Sequence, residues 1–267
     1  MPPISAISVS CDAAQQDVRG AAVGESLSDE AYRIDIQAGT IQVAASTSKG
    51  TAAGLTTLAQ LLRYDSDLET MVADVVPLTI QDSPAYAWRG LMLDTSRHFV
   101  DTDDIVTLVD SLAAAKLNVF HWHIVDSPSF PMDSAAYPEL AREGSWSRSN
   151  ETIYSQADIE RVVAHAKTKY VQVVLEVDTP AHTLAIGRSH PEMLSGSGCW
   201  SWMAESGFKV DVDSDDCMAL DPTSTAARTM VATLLGEVAD IAGESTDYVH
   251  IGGDEVKCVW GSVRRHP

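Results

Sequence analysis

The chain has 267 residues, 45% of them hydrophobic, and a formal net charge of -20 from 38 acidic and 18 basic side chains. That is enough apolar material for one large domain, or for a small one and a medium one, and too much for a disordered chain. An excess of carboxylates with no basic cluster excludes nucleic acid as a partner and reads first as a solvated surface, suited to an acidic or saline compartment.

No apolar run approaches the roughly 18 residues of a membrane span, and the opening stretch lacks a basic segment followed by a long apolar one. No membrane span and no signal peptide are therefore expected in this chain. The four cysteines, Cys11, Cys199, Cys217 and Cys258, form no C-x-x-C pair, which argues against a zinc ribbon or a redox couple and leaves three disulfide pairings open. The sequon Asn150-Glu151-Thr152 would suit a secreted or lysosomal protein.

From Ala31 to Ala44 apolar and polar residues alternate around Ala38-Gly39, which predicts two strands joined by a hairpin turn. A helix from Ser48 to Leu62 follows, with Leu55, Leu58, Leu61 and Leu62 as its apolar stripe, and then a strand in VVPLTI that ends at Gln81 to Pro84. Together these make a small α/β unit over residues 1–82. After Pro84 apolar strands alternate with amphipathic helices, the rhythm of a parallel sheet covered by crossover helices.

The strands of this second region, 83–267, are expected at Trp88–Asp94, Val119–Val125, Val171–Val177 and Tyr248–Gly252. The first helix is capped near Asp101 or Thr102 and buries Ile105, Leu108, Val109 and Leu112. The second opens at Ser155, with Asp158 placed for a capping box and Ile159, Val162 and Val163 inward. In the last, after a long loop rich in Gly, Ser and Trp, Met230, Val231, Leu234, Leu235, Val238 and Ile241 share a face. Four βα units occupy about 185 residues, whereas a closed eight-stranded barrel needs about 250. No internal repeat or low-complexity tract is present.

Every strand of this region ends in ionisable residues: Asp94 and Arg97; His121, His123 and Asp126; Glu176, Asp178 and His182; His250, Asp254 and Glu255. Parallel strands bring such ends to one rim, where barrels and open α/β sheets build active sites. Neighbouring strand residues face opposite ways, so Asp254 and Glu255 reach one pocket only if the chain bends, which Gly252-Gly253 permits. A carboxyl shielded from water beside a second negative charge has a raised pKa, so one of the pair can stay protonated as a general acid while the other stays ionised.

The segments WRGLMLDTSRHF, KLNVFHWHIVDSPSFP, EVDTPAHT, LDPT and HIGGDEV, in this order, resemble family 20 glycoside hydrolases, the β-N-acetylhexosaminidases of lysosomal and secreted type. The small leading unit resembles that family's non-catalytic α/β domain. The resemblance implies an α/β (β/α)8 TIM-barrel catalytic domain, present here as about its first four βα units and ending after the fourth strand, behind a small α+β domain. It also implies an enzyme with no cofactor and no metal that removes terminal non-reducing β-linked N-acetylhexosamine from glycans, glycolipids or chitooligosaccharides, and it allows a homodimer in the full-length protein.

Residue by residue, Glu255 matches the general acid and base, and Asp254 the group that holds the substrate's 2-acetamido N–H. The acetamido oxygen is itself the nucleophile, so the mechanism is retaining and substrate-assisted. Arg97 matches the arginine that binds hydroxyls of the terminal sugar, for which a planar fork of donors is suited. Asp126 and His182 match a carboxylate and imidazole that tune the acid, and His123 and His250 are either part of that support or core histidines. Ala181 and Ser127 depart from the family pattern, and the tryptophans, tyrosine and acidic residues by which the family's second half-barrel closes the pocket are not among these 267 residues.

Two other readings remain. One is a metal-dependent amidohydrolase-like barrel using His121, His123, His182 and His250; the other is a catalytically incompetent fragment or sugar-binding remnant. An open half-barrel would leave its edges at Trp88–Asp94 and Tyr248–Gly252 unpaired and Leu91, Leu93, Val119, Val173 and Leu175 without facing partners, so the isolated chain is expected to self-associate and to be inactive.

Overall fold

The computed structural model describes residues 4–11, 30–147, 152–195, 219–243 and 248–256. Cys199, Cys217 and Cys258, the first two residues of the sequon and the Gly/Ser/Trp-rich stretch from 196 to 218 lie outside the described residues; Cys11 is exposed. Two compact units are present, one of residues 1–89 with 113–118 and one of 90–112 with 119–267.

In the first unit β1 (Ala6–Cys11), β2 (Tyr32–Gln37), β3 (Thr40–Ala45) and β6 (Leu78–Asp82) form a sheet in the order β1-β3-β2-β6. The predicted hairpin is present, with Ile36 opposite Ile41 and Ile34 opposite Val43. β6 begins at Leu78 rather than Val75, because Pro77 has no N–H to give a ladder. Two elements are additional to the predicted ones: β1, which pairs parallel to β3, and the hairpin β4 (Leu62–Asp65) with β5 (Thr70–Ala73).

Helix α1 (Ser48–Leu61) starts where the Thr47 hydroxyl accepts the Gly50 N–H. Its buried face is Gly50, Gly54 and Leu58, with Leu61 and Leu62 packed against the same core, so of the predicted stripe only Leu55, 41% exposed, points outward. The reason is close approach: a Cβ on Gly54 would lie 2.9 Å from Val43 Cγ1 and 3.2 Å from the Tyr32 ring, so glycine lets the helix seat against Tyr32, Ile34, Ile36, Ile41 and Val43. Gly54→Val is therefore expected to lower stability by about 1–3 kcal/mol through overpacking, more than the roughly 0.5–1 kcal/mol that replacing a helical glycine returns. A urea midpoint at or above the parent's would refute this packing.

The second unit is built on three parallel strands, β7 (Gly90–Asp94), β8 (Val119–Val125) and β9 (Gln172–Val177), in that order. β8 coincides with its predicted span. Among the described residues the strands are accompanied by helices α2 (Thr102–Ala114), α3 (Pro138–Gly144), α4 (Gln156–Thr168), α5 (Leu184–Gly187) and α6 (Thr225–Ala242). The capping box at Ser155 is present, since its hydroxyl accepts the Asp158 N–H and the Asp158 carboxylate accepts the Ser155 N–H. α4 buries Ile159, Val162, Val163 and Ala166, and α6 buries Ala227, Met230, Leu234, Val238 and Ala242. Val231, Leu235 and Ile241, expected on the same face of α6, are only half-buried, because the contact is narrower than the apolar stripe.

On the sheet, Phe120, Trp122, Ile124, Val173, Leu175 and Val119 are fully buried. The expectation that Val119, Val173 and Leu175 lack facing partners is thus incorrect; they belong to the unit's closed core. Leu91 and Met92 on β7, an edge strand among the described residues, are exposed. The fourth predicted strand, Tyr248–Gly252, is only a single parallel bridge between Glu176 and His250 among the described residues. His250 N–H donates to Leu175 O, Val177 N–H to His250 O and Thr179 N–H to Ile251 O, after which the chain turns away. No helix among the described residues is long and apolar enough to cross a membrane.

Candidate active site

Register decides which polar side chains meet. Asp94 is level with His123 on β8, His123 with Glu176 on β9, and Glu176 with His250. Residues level across a parallel sheet share a face, so this row alternates carboxylate and imidazole. Trp122, one residue away, points to the opposite face, where it is buried against Phe120 and Tyr154.

Asp94 organises the turn after β7. Its Oδ1 accepts the N–H groups of Ser96 and Arg97, both at 3.0 Å, and its Oδ2 accepts Arg97 Nη1 at 3.0 Å. The same Nη1 lies 2.7 Å from Asp126 Oδ2, while the rest of the half-exposed guanidinium keeps donors available. Asp126 is almost fully buried. Its Oδ2 also lies 2.8 Å from His123 Nε2, its Oδ1 accepts the Ser127 N–H, and Oδ1 is 3.4 Å from His182 Nδ1. Burial alone would raise its pKa, but the hydrogen bonds from His123 and His182 and the charge of Arg97 outweigh burial and bring it down to about 2.

His123 is held at both nitrogens, Nε2 by Asp126 and Nδ1 by Glu176 Oε2 at 2.8 Å. Burial opposes its charge, yet hydrogen bonds to two carboxylates win and raise its pKa to about 10. Glu176 also meets His121 Nε2 at 2.5 Å and His250 Nδ1 at 3.0 Å, and these contacts overcome burial and hold its carboxyl well below the usual range. His250 is half-exposed, with its ring 4.6 Å from that of His121 and its Nδ1 3.0 Å from the Gly252 amide.

The bend at Gly252-Gly253 is present, with φ of 66° and 100°. Only glycine fits the first position, because a Cβ there would stand 1.7 Å from Asp178 Oδ1. The buried Asp178 carboxylate accepts the Gly253 N–H at 3.2 Å; burial, with the charge of Asp254 added, raises its pKa to about 6. Beyond the bend Glu255 Oε2 lies 3.1 Å from His182 Nε2, and Asp254 Oδ2 lies 3.9 Å from it. His182 and Glu255 both have left-handed backbones, φ 57° and 55°, a conformation unfavourable to such side chains and typical of functional sites. The side chains of Asp254 and Glu255 are 67% and 59% exposed, so the described residues do not supply the shielding expected of a buried acid.

All seven residues singled out in the sequence, Arg97, His123, Asp126, His182, His250, Asp254 and Glu255, thus lie on one connected rim. Glu176 and Asp178 were visible as strand-end carboxylates but had no assigned role. The signal that finds Glu176 is its level position beside His123, which needs the strand order.

The catalytic-domain model of glycosyl hydrolase family 20 matches residues 86–264, and the family's domain 2 model matches residues 5–83. The chain belongs to glycosyl hydrolase family 20. It is 37% identical over 215 residues to beta-hexosaminidase subunit B2 of Dictyostelium discoideum, an alignment covering 80% of this chain and 37% of that protein. It is 36% identical over 241 residues to the chitooligosaccharidolytic beta-N-acetylglucosaminidase of Bombyx mori, covering 88% of this chain and 38% of that one. The X-ray structure of Flavobacterium johnsoniae chitobiase superposes with a TM-score of 0.72 at 33% identity, over 85% of this chain and 32% of that chain.

The chain therefore spans well under half the length of these relatives. Its fold is that of the family 20 α/β TIM-barrel domain with a small domain before it, and the described strands do not close a barrel. His121 and His250 do converge, on Glu176, and three His/carboxylate groups have ligand atoms within 4.8 Å of one another. Imidazole and carboxylate already stand at hydrogen-bond distance there, and membership of family 20 leaves the amidohydrolase alternative without a finding of its own.

Proposed function

We propose that this chain supplies the acid-base half of an exo-acting β-N-acetylhexosaminidase. The observation that carries the reading is the unbroken contact chain from Arg97 through Asp126 and His182 to Glu255, with Asp254 beside it. In this reading Arg97, fixed by Asp94 and Asp126, turns its remaining donors to hydroxyls of the terminal sugar. Asp254 accepts the acetamido N–H, so the acetamido oxygen attacks the anomeric carbon and closes an oxazoline-type ring. Glu255 gives its proton to the glycosidic oxygen, which leaves as an alcohol. Its carboxylate then takes a proton from the water that opens the ring, and configuration is retained.

Residues 1–82 are read as the non-catalytic domain and 83–267 as the amino-terminal half of the catalytic barrel. The substrates are terminal GlcNAc or GalNAc residues of glycans, glycolipids or chitooligosaccharides, in a lysosomal or secreted setting, with a homodimer as the working assembly of the full-length protein. The names of the Bombyx and Flavobacterium relatives favour chitooligosaccharides among these.

The test compares two aryl glycosides with the full-length protein. An aryl N-acetyl-β-glucosaminide is expected to be cleaved with retention, and the corresponding aryl β-glucoside, which has no acetamido oxygen, is expected to resist. Comparable cleavage of both would exclude substrate assistance.

A further inference from the structure

We infer that Glu176 is a positioning residue for this reaction, acting through His123 and Asp126 to hold His182 against Glu255. The inference rests on the reading of Glu255 as the acid and extends it two strands inward. Each link is a contact: Glu255 Oε2 to His182 Nε2 at 3.1 Å, His182 Nδ1 to Asp126 Oδ1 at 3.4 Å, Asp126 Oδ2 to His123 Nε2 at 2.8 Å, and His123 Nδ1 to Glu176 Oε2 at 2.8 Å.

The chemistry of the links gives the chain a direction. A neutral imidazole has one N–H, so His123 can donate to Asp126 and to Glu176 together only as an imidazolium. Glu176 is what makes that charge tenable in a buried place. It is the carboxylate on the far side of the ring from Asp126, and its other oxygen is occupied by His250 Nδ1. The imidazolium in turn keeps Asp126 ionised, and an ionised Asp126 accepts the Nδ1–H of His182. That fixes the tautomer of His182 and turns an unprotonated Nε2 toward Glu255, where it accepts the hydrogen bond of the protonated acid.

Asp94 and Arg97 face His123 and Asp126 from the β7 turn, Asp126 follows β8, and Glu176 and Asp178 come from β9. Glu176 itself faces His121 and His123 on β8, and His250 across the bridge. Arg97 cannot replace Glu176, because it is a cation whose Nη1 stands on the Asp126 side of the ring, 3.0 Å from His123 Nε2, and it brings no negative charge to an imidazolium. A purely structural ion pair would fill the same space but would not control the protonation of His123, three contacts from the acid, and this difference is measurable.

The first measurement needs neither turnover nor a variant. In ¹⁵N spectra of the full-length protein, His123 is expected to remain protonated at both ring nitrogens through neutral pH and to titrate only in alkaline solution. Titration in the ordinary histidine range near 6.5 would overturn the inference.

The second uses Glu176→Gln, which keeps size and one acceptor oxygen but removes the charge. kcat on an aryl N-acetyl-β-glucosaminide is expected to fall on the order of 10–100-fold with KM nearly unchanged, and the pH profile of kcat/KM should gain a neutral-range ionisation from His123. Glu176→Asp should restore part of the loss. A folded Glu176→Gln protein with the parental kcat and pH profile would sink the proposal. If the parent cleaves no N-acetylhexosaminide, the hexosaminidase reading fails and the role with it; an ordinary His123 titration in an active parent removes Glu176 alone.

Discussion

Glu255→Gln is expected to lower turnover of N-acetylhexosaminides with poor leaving groups by about 10²–10⁴-fold or more. Gln keeps the shape of the side chain and a polar atom for His182 Nε2, which lies 3.1 Å from the native carboxylate, but it has no proton to transfer. Aryl substrates whose leaving group departs without protonation should lose much less in the first step. The variant should also lose the alkaline limb of the kcat/KM profile, because no acid remains to be deprotonated in the free enzyme. Steady-state kinetics on a series of aryl glycosides of graded leaving-group acidity checks both points. Equal losses across the series would take Glu255 out of the acid role and leave it as a binding carboxylate.

β8 could be placed to the residue because Asn118 and the polar Asp126-Ser127 pair bound an apolar run, and Ser155 with Asp158 marks a helix start by spacing alone. The face of α1 could be read only in part: Leu58, Leu61 and Leu62 meet the core as their spacing predicts. Helix packing through Gly50 and Gly54 leaves no hydrophobic signal at the closest contact, so Leu55 looked inward when it is exposed. β1 carries the alternation Ile7-Ser8-Val9-Ser10-Cys11, but all six of its residues are exposed, so that pattern marks a strand without marking a buried face. The fourth strand was legible as an apolar segment but pairs only at His250, because the glycine bend that serves Asp254 and Glu255 ends the ladder.

For the site, strand ends told which residues reach the rim, and the resemblance told which of them carry chemistry. Neither reveals that Glu176 gathers three imidazoles or that Gly252 must be glycine to clear Asp178. Both facts depend on strand order and on register, which a single sequence leaves open.

Asp254→Asn should lower turnover by about 10²–10³-fold while affecting substrate binding far less. Asp254 reaches no closer than 3.9 Å to His182 and is largely exposed, so it is not part of the proton relay. Its proposed partner is the acetamido group, which is nearly neutral in the bound substrate and becomes cationic as the oxazoline-type ring closes. A carboxylate therefore acts mainly in the transition state, and Asn, with the same shape and no charge, removes that part selectively. Binding of a thiazoline mimic of the intermediate should weaken in parallel with kcat.

A second readout excludes a merely displaced turn. Asp178 titrates near 6, raised by its burial and further by the negative charge of Asp254. With that neighbour neutral, the Asp178 carboxyl should titrate at lower pH. Because its folded-state pKa lies above the roughly 3.9 of an unfolded Asp, the folded state binds the extra proton, and the stability this gives is present at pH 4 and lost as pH rises through about 6. Asp254→Asn should diminish that loss, so the variant gains stability relative to the parent between pH 4 and pH 7 while losing activity. Melting temperatures of the two proteins across this interval, set beside their rates, make the test. Parental turnover of N-acetyl substrates by the variant would show that the acetamido group is oriented by some other residue, whereas lost turnover without the stability gain would mean that the turn, not the charge, had been disturbed.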